Sequence, residues 1–161
     1  MRLSEWRTTP LGQKVMSDKV AAAYEPALAV LGVPPDPVTH VVWGDEPDIR
    51  YQILAASDAG LVFVHVRVNV PQEGPRASAK LVRWNRLVLG ETSAEAHHGH
   101  RFVTGQIETV VIKGADETAD EVGAFLAHVL ARIDGRVSDA SAGGKAPKQN
   151  ARSIAALVPV E

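Results

Sequence analysis

The stretch Leu61 to Val70, LVFVHVRVNV, most constrains what this chain can fold into. Its even positions are all valine, whereas its odd positions begin with leucine and phenylalanine and end with histidine, arginine and asparagine. A period of two is typical of a β-strand, because successive side chains point to opposite faces of a sheet. The sequence therefore predicts a strand with one face buried throughout and the other covered only at its start, where a helix packs on part of the sheet.

Helical periodicity flanks this strand region on both sides. Before it, apolar residues recur at helical spacing, and Pro26 is expected to kink or split that helix before Gly32 ends it. After it, Thr118 and Glu121 have the spacing of a capping box, and Gly135 is a stop signal. We expect the stripe of the second helix to close over the valine face and form one core. The two apolar stripes are Met16, Val20, Ala23, Ala27 and Leu31, and Val122, Phe125, Leu126, Val129 and Ile133.

The order of these segments predicts an α+β domain. It has a helical N-terminal segment, an antiparallel curled sheet or small barrel of about six or seven strands, and a C-terminal amphipathic helix packed on the sheet. Residues 1–135 are expected to form this single domain, with 1–37 as a helical extension and 38–135 as the sheet plus helix. Residues 136–161 are predicted to be a flexible tail with an apolar end that docks on the domain or on a partner. The apolar end contains Ile154, Leu157 and Val158.

Composition excludes several classes of function. The 161-residue chain has no cysteine, which excludes disulfides, thiolate nucleophiles and cysteine-ligated metal centres. Its formal net charge of −2 is not that of a nucleic-acid binder. No apolar run approaches the roughly 18 residues that a membrane helix needs, and the N-terminus lacks a leader's apolar region, so we expect a soluble, cytoplasmic protein.

The stretch EAHHGH, from Glu95 to His100, holds three of the six histidines. Imidazole is the commonest metal ligand, and on one strand His98 and His100 would point to the same side, so His97, His98 and His100 are candidate ligands. The pattern matches no defined metal site and would need another ligand from elsewhere. The favoured interpretation is therefore the polar connection of a hairpin, and no cofactor is predicted.

A basic hairpin is the second candidate site. Arg83, Trp84 and Arg86 combine cations with an aromatic ring, as surfaces that bind phosphates or nucleic acids do. On a strand, Arg83 and Trp84 would point to opposite faces, which argues against one nucleic-acid patch and for a tryptophan in the core or an interface. The acidic stretch from Asp45 to Asp48 is interpreted as a solvated turn. Signatures such as GxSxG, GxxxxGK[ST] and GxGxxG are absent, which argues against an enzyme.

The order of elements provides a resemblance. A strand YQILAAS, a turn, GLVFVHVRV, a loop, KLVRWNRLVL, two further strands and an amphipathic helix follow one another, and Leu81 to Leu87 has an apolar pair, a tryptophan and an aliphatic residue three positions on. From Val38 to Asp134 this resembles bacterial pleckstrin-homology-like domains. The resemblance implies a small antiparallel barrel or sandwich capped by a C-terminal helix, used as a binding scaffold. The segment from Pro10 to Gly32 is an addition to that pattern.

The resemblance also bears on the ligand. Lipid-binding members of the superfamily hold phosphates with lysine and arginine in the loop after the first strand. The corresponding loop here is GDEPDI, and its three carboxylates would repel a phosphoinositide head group. No membrane lipid is therefore expected as a partner.

Together these features predict a non-enzymatic binding or assembly module. Its partner is expected to be a protein, a peptide or a second copy of the chain. The candidate binding residues are Arg83, Trp84 and Arg86 in the basic hairpin, and Ile154, Leu157 and Val158 near the C-terminus. The alternative is a small-ligand cup, with or without catalysis, whose curled sheet grips a long helix around an apolar void. That void would be lined by Phe63, Trp84 and Phe125.

Overall fold

The computed structural model of the protein describes residues 1–9, 12–13, 16–34, 36–43, 50–68 and 71–136. Strands and helices combine in an α+β fold, with the predicted helices near the N-terminus and at the C-terminal end of the sheet region. No helix in these ranges is long and apolar enough to cross a membrane. The elements are α1 (Asp18–Val30), β1 (Val38–Trp43), β2 (Arg50–Ala56), β3 (Gly60–Arg67), β4 (Arg76–Arg83), β5 (Leu89–His97), β6 (His100–Ile107), β7 (Val110–Ala115) and α2 (Glu117–Ile133), with 3-10 turns at Leu3–Glu5 and Trp84–Arg86.

The strands form two antiparallel sheets. The first has the order β1-β2-β3-β4 and the second has the order β5-β6-β7. Within each sheet, strands that are consecutive in sequence pair with one another in antiparallel fashion. The number of strands agrees with the prediction, but the sheets are open, and the described strands do not close into a barrel.

The first core lies between α1 and one face of the first sheet. Ser17 caps α1 by accepting a hydrogen bond from the Val20 N–H at 3.3 Å. In the core, the Tyr24 hydroxyl lies 3.1 Å from Thr39 Oγ1, and it is the donor because Thr39 donates its own proton to the Pro37 carbonyl. Burial raises the pKa of Tyr24. The buried members of this first cluster are Met16, Val20, Ala21, Tyr24, Leu28, Val33, Val41, Ile53, Ala55, Val62, Val64 and Val66.

The structure bears on two expectations about the helices. Pro26 lies inside α1, yet the helix is not split. The proline removes one N–H, whose acceptor would be the carbonyl of Ala22, an exposed residue that water can reach. The predicted capping box is also absent, because α2 begins at Glu117 and the Thr118 hydroxyl instead donates to the Ala115 carbonyl at 2.8 Å. Gly135, with φ of 68°, ends α2 as predicted.

The second core lies on the opposite face of the first sheet. There α2 packs on β6 and β7 and contacts β1. The prediction of one core was wrong: Val64 and Val66 are buried under α1, while Phe125 and Leu126 pack on the other side of the sheet. Residues next to each other on a strand face opposite sides, so one strand serves both cores. The buried members of this second cluster are Leu54, Ala56, Leu61, Ile107, Val110, Ile112, Val122, Phe125, Leu126 and Val129.

Candidate functional site

The second face of the first sheet is covered over only part of its length. On β3, Leu61 is buried and Phe63 is half-buried, whereas His65 and Arg67 are exposed. This gradient from covered to exposed confirms the prediction made from the odd positions of the strand. The uncovered end forms one wall of an opening between the two sheets.

This opening is a cleft of about 230 Å³, called here the inter-sheet cleft. The aromatic ring of Phe63 contributes an apolar surface, and polar side chains surround it. Among these, Gln52 Nε2 lies 3.3 Å from His65 Nε2. The cleft is therefore suited to a group with both apolar and polar parts. Its lining comprises Gln52, Phe63, His65, Ser78, Ala79 and Lys80 from the first sheet, and Glu108, Thr109 and Val110 from the turn between β6 and β7.

A shallower basic groove of about 480 Å³ adjoins the inter-sheet cleft and shares Lys80 and Glu108 with it. Three cations, Lys80, Arg83 and Arg86, line the groove together with one carboxylate. All three cationic residues are exposed, and among the described residues no carboxylate lies within ion-pair distance of them. Their charges are therefore available to an anionic partner.

Glu108 is held in place on the opposite wall. Its backbone has φ of 55°, as a tight turn requires, and its N–H donates to the Val88 carbonyl at 2.8 Å. Its carboxylate accepts the Val88 N–H at 2.8 Å, and its carbonyl accepts Gln106 Nε2 at 3.0 Å. These bonds fix the turn between β6 and β7 against the segment before β5, so that the wall is preformed.

The structure separates the three predicted binding residues of the basic hairpin. Arg83 and Arg86 line the basic groove, but Trp84 packs against the second cluster. The Trp84 indole N–H donates to the Ser57 carbonyl at 2.9 Å, which ties the 3-10 turn to the turn between β2 and β3. Trp84 therefore anchors the fold, while the two arginines lie at the surface.

The histidine-rich stretch is a hairpin connection, as the favoured interpretation predicted. His98 and Gly99 form a two-residue turn with φ of 48° and 81°, and His97 pairs with His100 across it. Positive φ at both central positions is the geometry of a type I′ turn, which matches the twist of the flanking strands. The expectation that His98 and His100 lie on one strand and point to the same side was wrong, because the turn comes between them.

His100 has a structural partner on another element. Its Nδ1 lies 2.8 Å from Asp116 Oδ2, and the Arg101 N–H donates to Asp116 Oδ1 at 3.1 Å. The bond from His100, followed by that from the Arg101 N–H, lowers the pKa of Asp116. Across the described residues, no group of three or more histidine, aspartate and glutamate side chains is arranged to hold a metal ion. The candidate ligands His97, His98 and His100 do not converge on one point.

Three further titratable residues lie in α2 or against it. The His40 ring centroid is 5.3 Å from that of Phe125, and burial lowers the pKa of His40 to about 4. Burial also lowers the pKa of His128. Arg132, nearly buried, donates from Nη1 to Asp58 Oδ1 at 2.7 Å and so links α2 to the turn between β2 and β3. These contacts stabilise the second core rather than form an open site.

Some predicted residues cannot be placed, and some site residues were not predicted. The acidic stretch from Asp45 to Asp48 and the apolar residues Ile154, Leu157 and Val158 lie outside the described residues. The polar residues at the end of the β3 sequence were the signal that could have predicted a site near His65. Nothing in the sequence pointed to Glu108, because its position depends on how the second sheet packs against the first.

Comparison of the chain with protein-family models, with curated proteins and with solved structures found no match. The candidate site therefore rests on its own geometry: a cleft with an aromatic ring and polar side chains, beside a groove that presents three cations.

Proposed function

We propose that this protein is a non-enzymatic binding module that recognises a protein or peptide partner in the inter-sheet cleft and the basic groove. The observation that carries the proposal is the uncovered end of the first sheet, where Phe63 lies opposite Lys80 on the neighbouring strand. The adjoining groove adds Arg83 and Arg86, and none of these three cations has an ion-pair partner among the described residues. An apolar surface flanked by charges is a common arrangement for recognition of a polypeptide. We expect the protein to act in this way in the cytoplasm.

The size and shape of the opening support a polypeptide over an enclosed small ligand. Sites for small molecules commonly have volumes of about 300 to 1,000 Å³ and enclose most of the ligand. The inter-sheet cleft has about 230 Å³ and continues into an open groove, which suits a side chain from a longer chain. Phe125 and Trp84, expected to line a void in the cup alternative, pack instead in the second cluster. The small-ligand cup remains the alternative prediction.

The pleckstrin-homology-like resemblance is part of the same proposal. It rests on the order of the elements predicted from the sequence and on the stretch from Leu81 to Leu87. We propose the cleft as a recognition site on its own geometry, because folds of this kind host unrelated functions.

Selection from a library of random linear peptides tests the proposal. Peptides that bind the full-length protein would be synthesised with a fluorescent label, and their affinity measured by fluorescence anisotropy. Ser78→Trp places a large ring in the inter-sheet cleft, where Ser78 is exposed, and should weaken binding by about tenfold, equivalent to about 1.4 kcal/mol. Ser93→Trp is the matched control, because the strand register places Ser93 on the outer face of the second sheet, beside Thr104 and Lys113.

The two variants give a clear result. Loss of affinity with Ser78→Trp but not with Ser93→Trp supports the cleft as the binding site. Equal affinity of the selected peptides for the wild-type protein and the Ser78→Trp variant would overturn the proposal. Circular dichroism of both variants would show that the fold is kept.

A further inference from the structure

We infer that the partner is an extended acidic peptide segment that adds to the first sheet as a strand along the free edge of β4, an inference that rests on the proposed function. The first sheet ends at β4, and no other described strand pairs with its outer edge. On such an edge, alternate backbone N–H and C=O groups lack a partner within the sheet and can pair with another chain.

The basic groove supplies space along this edge. It is lined by the run from Lys80 to Arg83, which is the C-terminal half of β4, and by Arg86 and Glu108. Neighbouring strands lie about 4.8 Å apart, so a strand paired with β4 would lie next to these side chains. The groove and the unpaired edge therefore belong to one binding surface.

The charges on this surface select an acidic partner. Lys80, Arg83 and Arg86 face one carboxylate, Glu108, and that carboxylate already accepts the Val88 N–H. Opposite charges on neighbouring strands stabilise pairing, and like charges weaken it. Carboxylates on the added strand would lie near three cations and near one carboxylate, that of Glu108, which is already hydrogen-bonded.

The same charges disfavour a second copy of this chain as the partner at β4. Two β4 strands paired antiparallel about Lys80 would place Lys80 of each copy opposite Lys80 of the other. Like charges opposite one another destabilise such a pair. The edge is therefore better matched to a different, acidic chain.

A hollow on the side of α1 indicates how polar and apolar residues alternate in the added strand. It has a volume of about 370 Å³ and lies at the start of β4, between α1 and Pro75, where Ala22 and Ala23 present methyl groups beside the charged residues Asp18 and Lys19. Side chains of an added strand alternate between the two faces of the sheet. Glutamates at every second position would lie on the face of Lys80, and small apolar residues between them would lie on the face of Ala77 and Ala79, towards α1.

The test uses two eight-residue peptides of the same composition. In one, glutamate alternates with valine and threonine; in the other, the glutamates are grouped at one end. We expect the alternating peptide to bind the full-length protein at least about tenfold more tightly, which corresponds to about 1.4 kcal/mol. N-methylation of every second amide then tests the strand geometry. One set of methyl groups should abolish binding and the other should leave it unchanged, because only half of the amides of a strand face β4.

Charge reversal locates the contact. Lys80→Glu should weaken the alternating peptide about fivefold, and the same peptide with lysine in place of glutamate should bind this variant better than the wild-type protein. Lys113→Glu is the matched control: it makes the same change in net charge at an exposed residue on the outer face of the second sheet. Affinity for the control should stay within twofold of the wild-type value.

The outcomes separate this inference from the proposed function. If library peptides bind in the inter-sheet cleft but both N-methylated sets bind alike, or Lys113→Glu weakens binding as much as Lys80→Glu, the strand-addition inference is wrong and the binding function stands. If no peptide depends on the cleft, both fail together.

Discussion

The two faces of the first sheet are covered in different ways, although the same strands form both. The face under α1 is buried along β3, where Val62, Val64 and Val66 are at most 1% exposed. The opposite face begins with buried Leu61 and ends with exposed His65. A face covered from end to end stabilises the fold, whereas a face covered over half its length also leaves room for a ligand.

Truncation of the largest buried side chains gives the largest expected effect on this comparison. Leu28→Ala in the first cluster should lower the free energy of unfolding by about 2 to 5 kcal/mol, and Phe125→Ala in the second by about 3 to 5 kcal/mol, because each leaves a cavity. Urea unfolding measures both. Val30→Ala is the control on α1, since Val30 is 86% exposed, and should change stability by less than about 0.5 kcal/mol.

A double-mutant cycle then sharpens the division into two cores. Ile53 and Val64 are cross-strand neighbours in the first cluster, whereas Ile112 lies in the second. Ile53→Val with Val64→Ala should show a coupling energy of at least about 0.5 kcal/mol, while Ile53→Val with Ile112→Val should be additive within about 0.5 kcal/mol. Strong coupling across the sheet would argue against two separate packing units.

Acid should lower the free energy of unfolding through His40, which is buried on the second face of the first sheet. His40 has a folded pKa of about 4, below its ordinary 6.5, so the unfolded chain binds more protons between these values. Stability is therefore full above about pH 6.5 and falls by about 3 kcal/mol as the pH decreases to about 4. His128 acts in the same direction, whereas the Asp116 contribution is lost only as the pH falls below its ordinary 3.8.

His40→Leu tests this assignment. Urea unfolding at about pH 7.5 and about pH 4.5 should show a smaller loss of stability for the variant than for the wild-type protein, because the buried group no longer takes up a proton. The same pH dependence in both proteins would show that His40 is not its source.

Removal of one hydrogen bond at the junction between the faces should have an intermediate effect. Trp84→Phe keeps most of the ring but removes the indole donor to the Ser57 carbonyl, so stability should fall by about 1 to 2 kcal/mol. Arg86→Ala should leave the melting temperature nearly unchanged and weaken peptide binding. If Trp84→Phe instead weakened peptide binding without lowering stability, and Arg86→Ala lowered the melting temperature, Trp84 would belong to the binding surface.

The hairpin between β5 and β6 should show the smallest effect. His98 has φ of 48°, which asparagine adopts more readily than most residues, so His98→Asn should change stability by no more than about 0.5 kcal/mol, towards a more stable protein. Thermal unfolding with and without zinc would be compared for the wild-type protein and a variant with alanine at His97, His98 and His100. If zinc stabilised the wild-type protein but not the variant, these histidines would bind metal, contrary to their arrangement in the structure.

The sequence predicted the local structure better than the arrangement of the layers. The alternation from Leu61 to Val70 identified β3 and its exposed end, because strand geometry acts on neighbouring residues. It did not predict which helix covers which face, because Val64 can pack equally well under either apolar stripe. The site was predicted only in part for the same reason. The sequence identified Arg83 and Arg86 as candidate binding cations, but the position of Glu108 depends on contacts between distant segments.

The order of the elements along the chain has a consequence during synthesis. α1 and the first sheet, residues 18–83, precede the second sheet and α2, residues 89–133, so the ribosome releases the first layer before its cover exists. Until then Leu54, Ala56 and Leu61 present an apolar surface to the solvent or to a chaperone. A nascent chain stalled shortly after Arg83 should therefore bind a hydrophobic dye that the completed protein excludes.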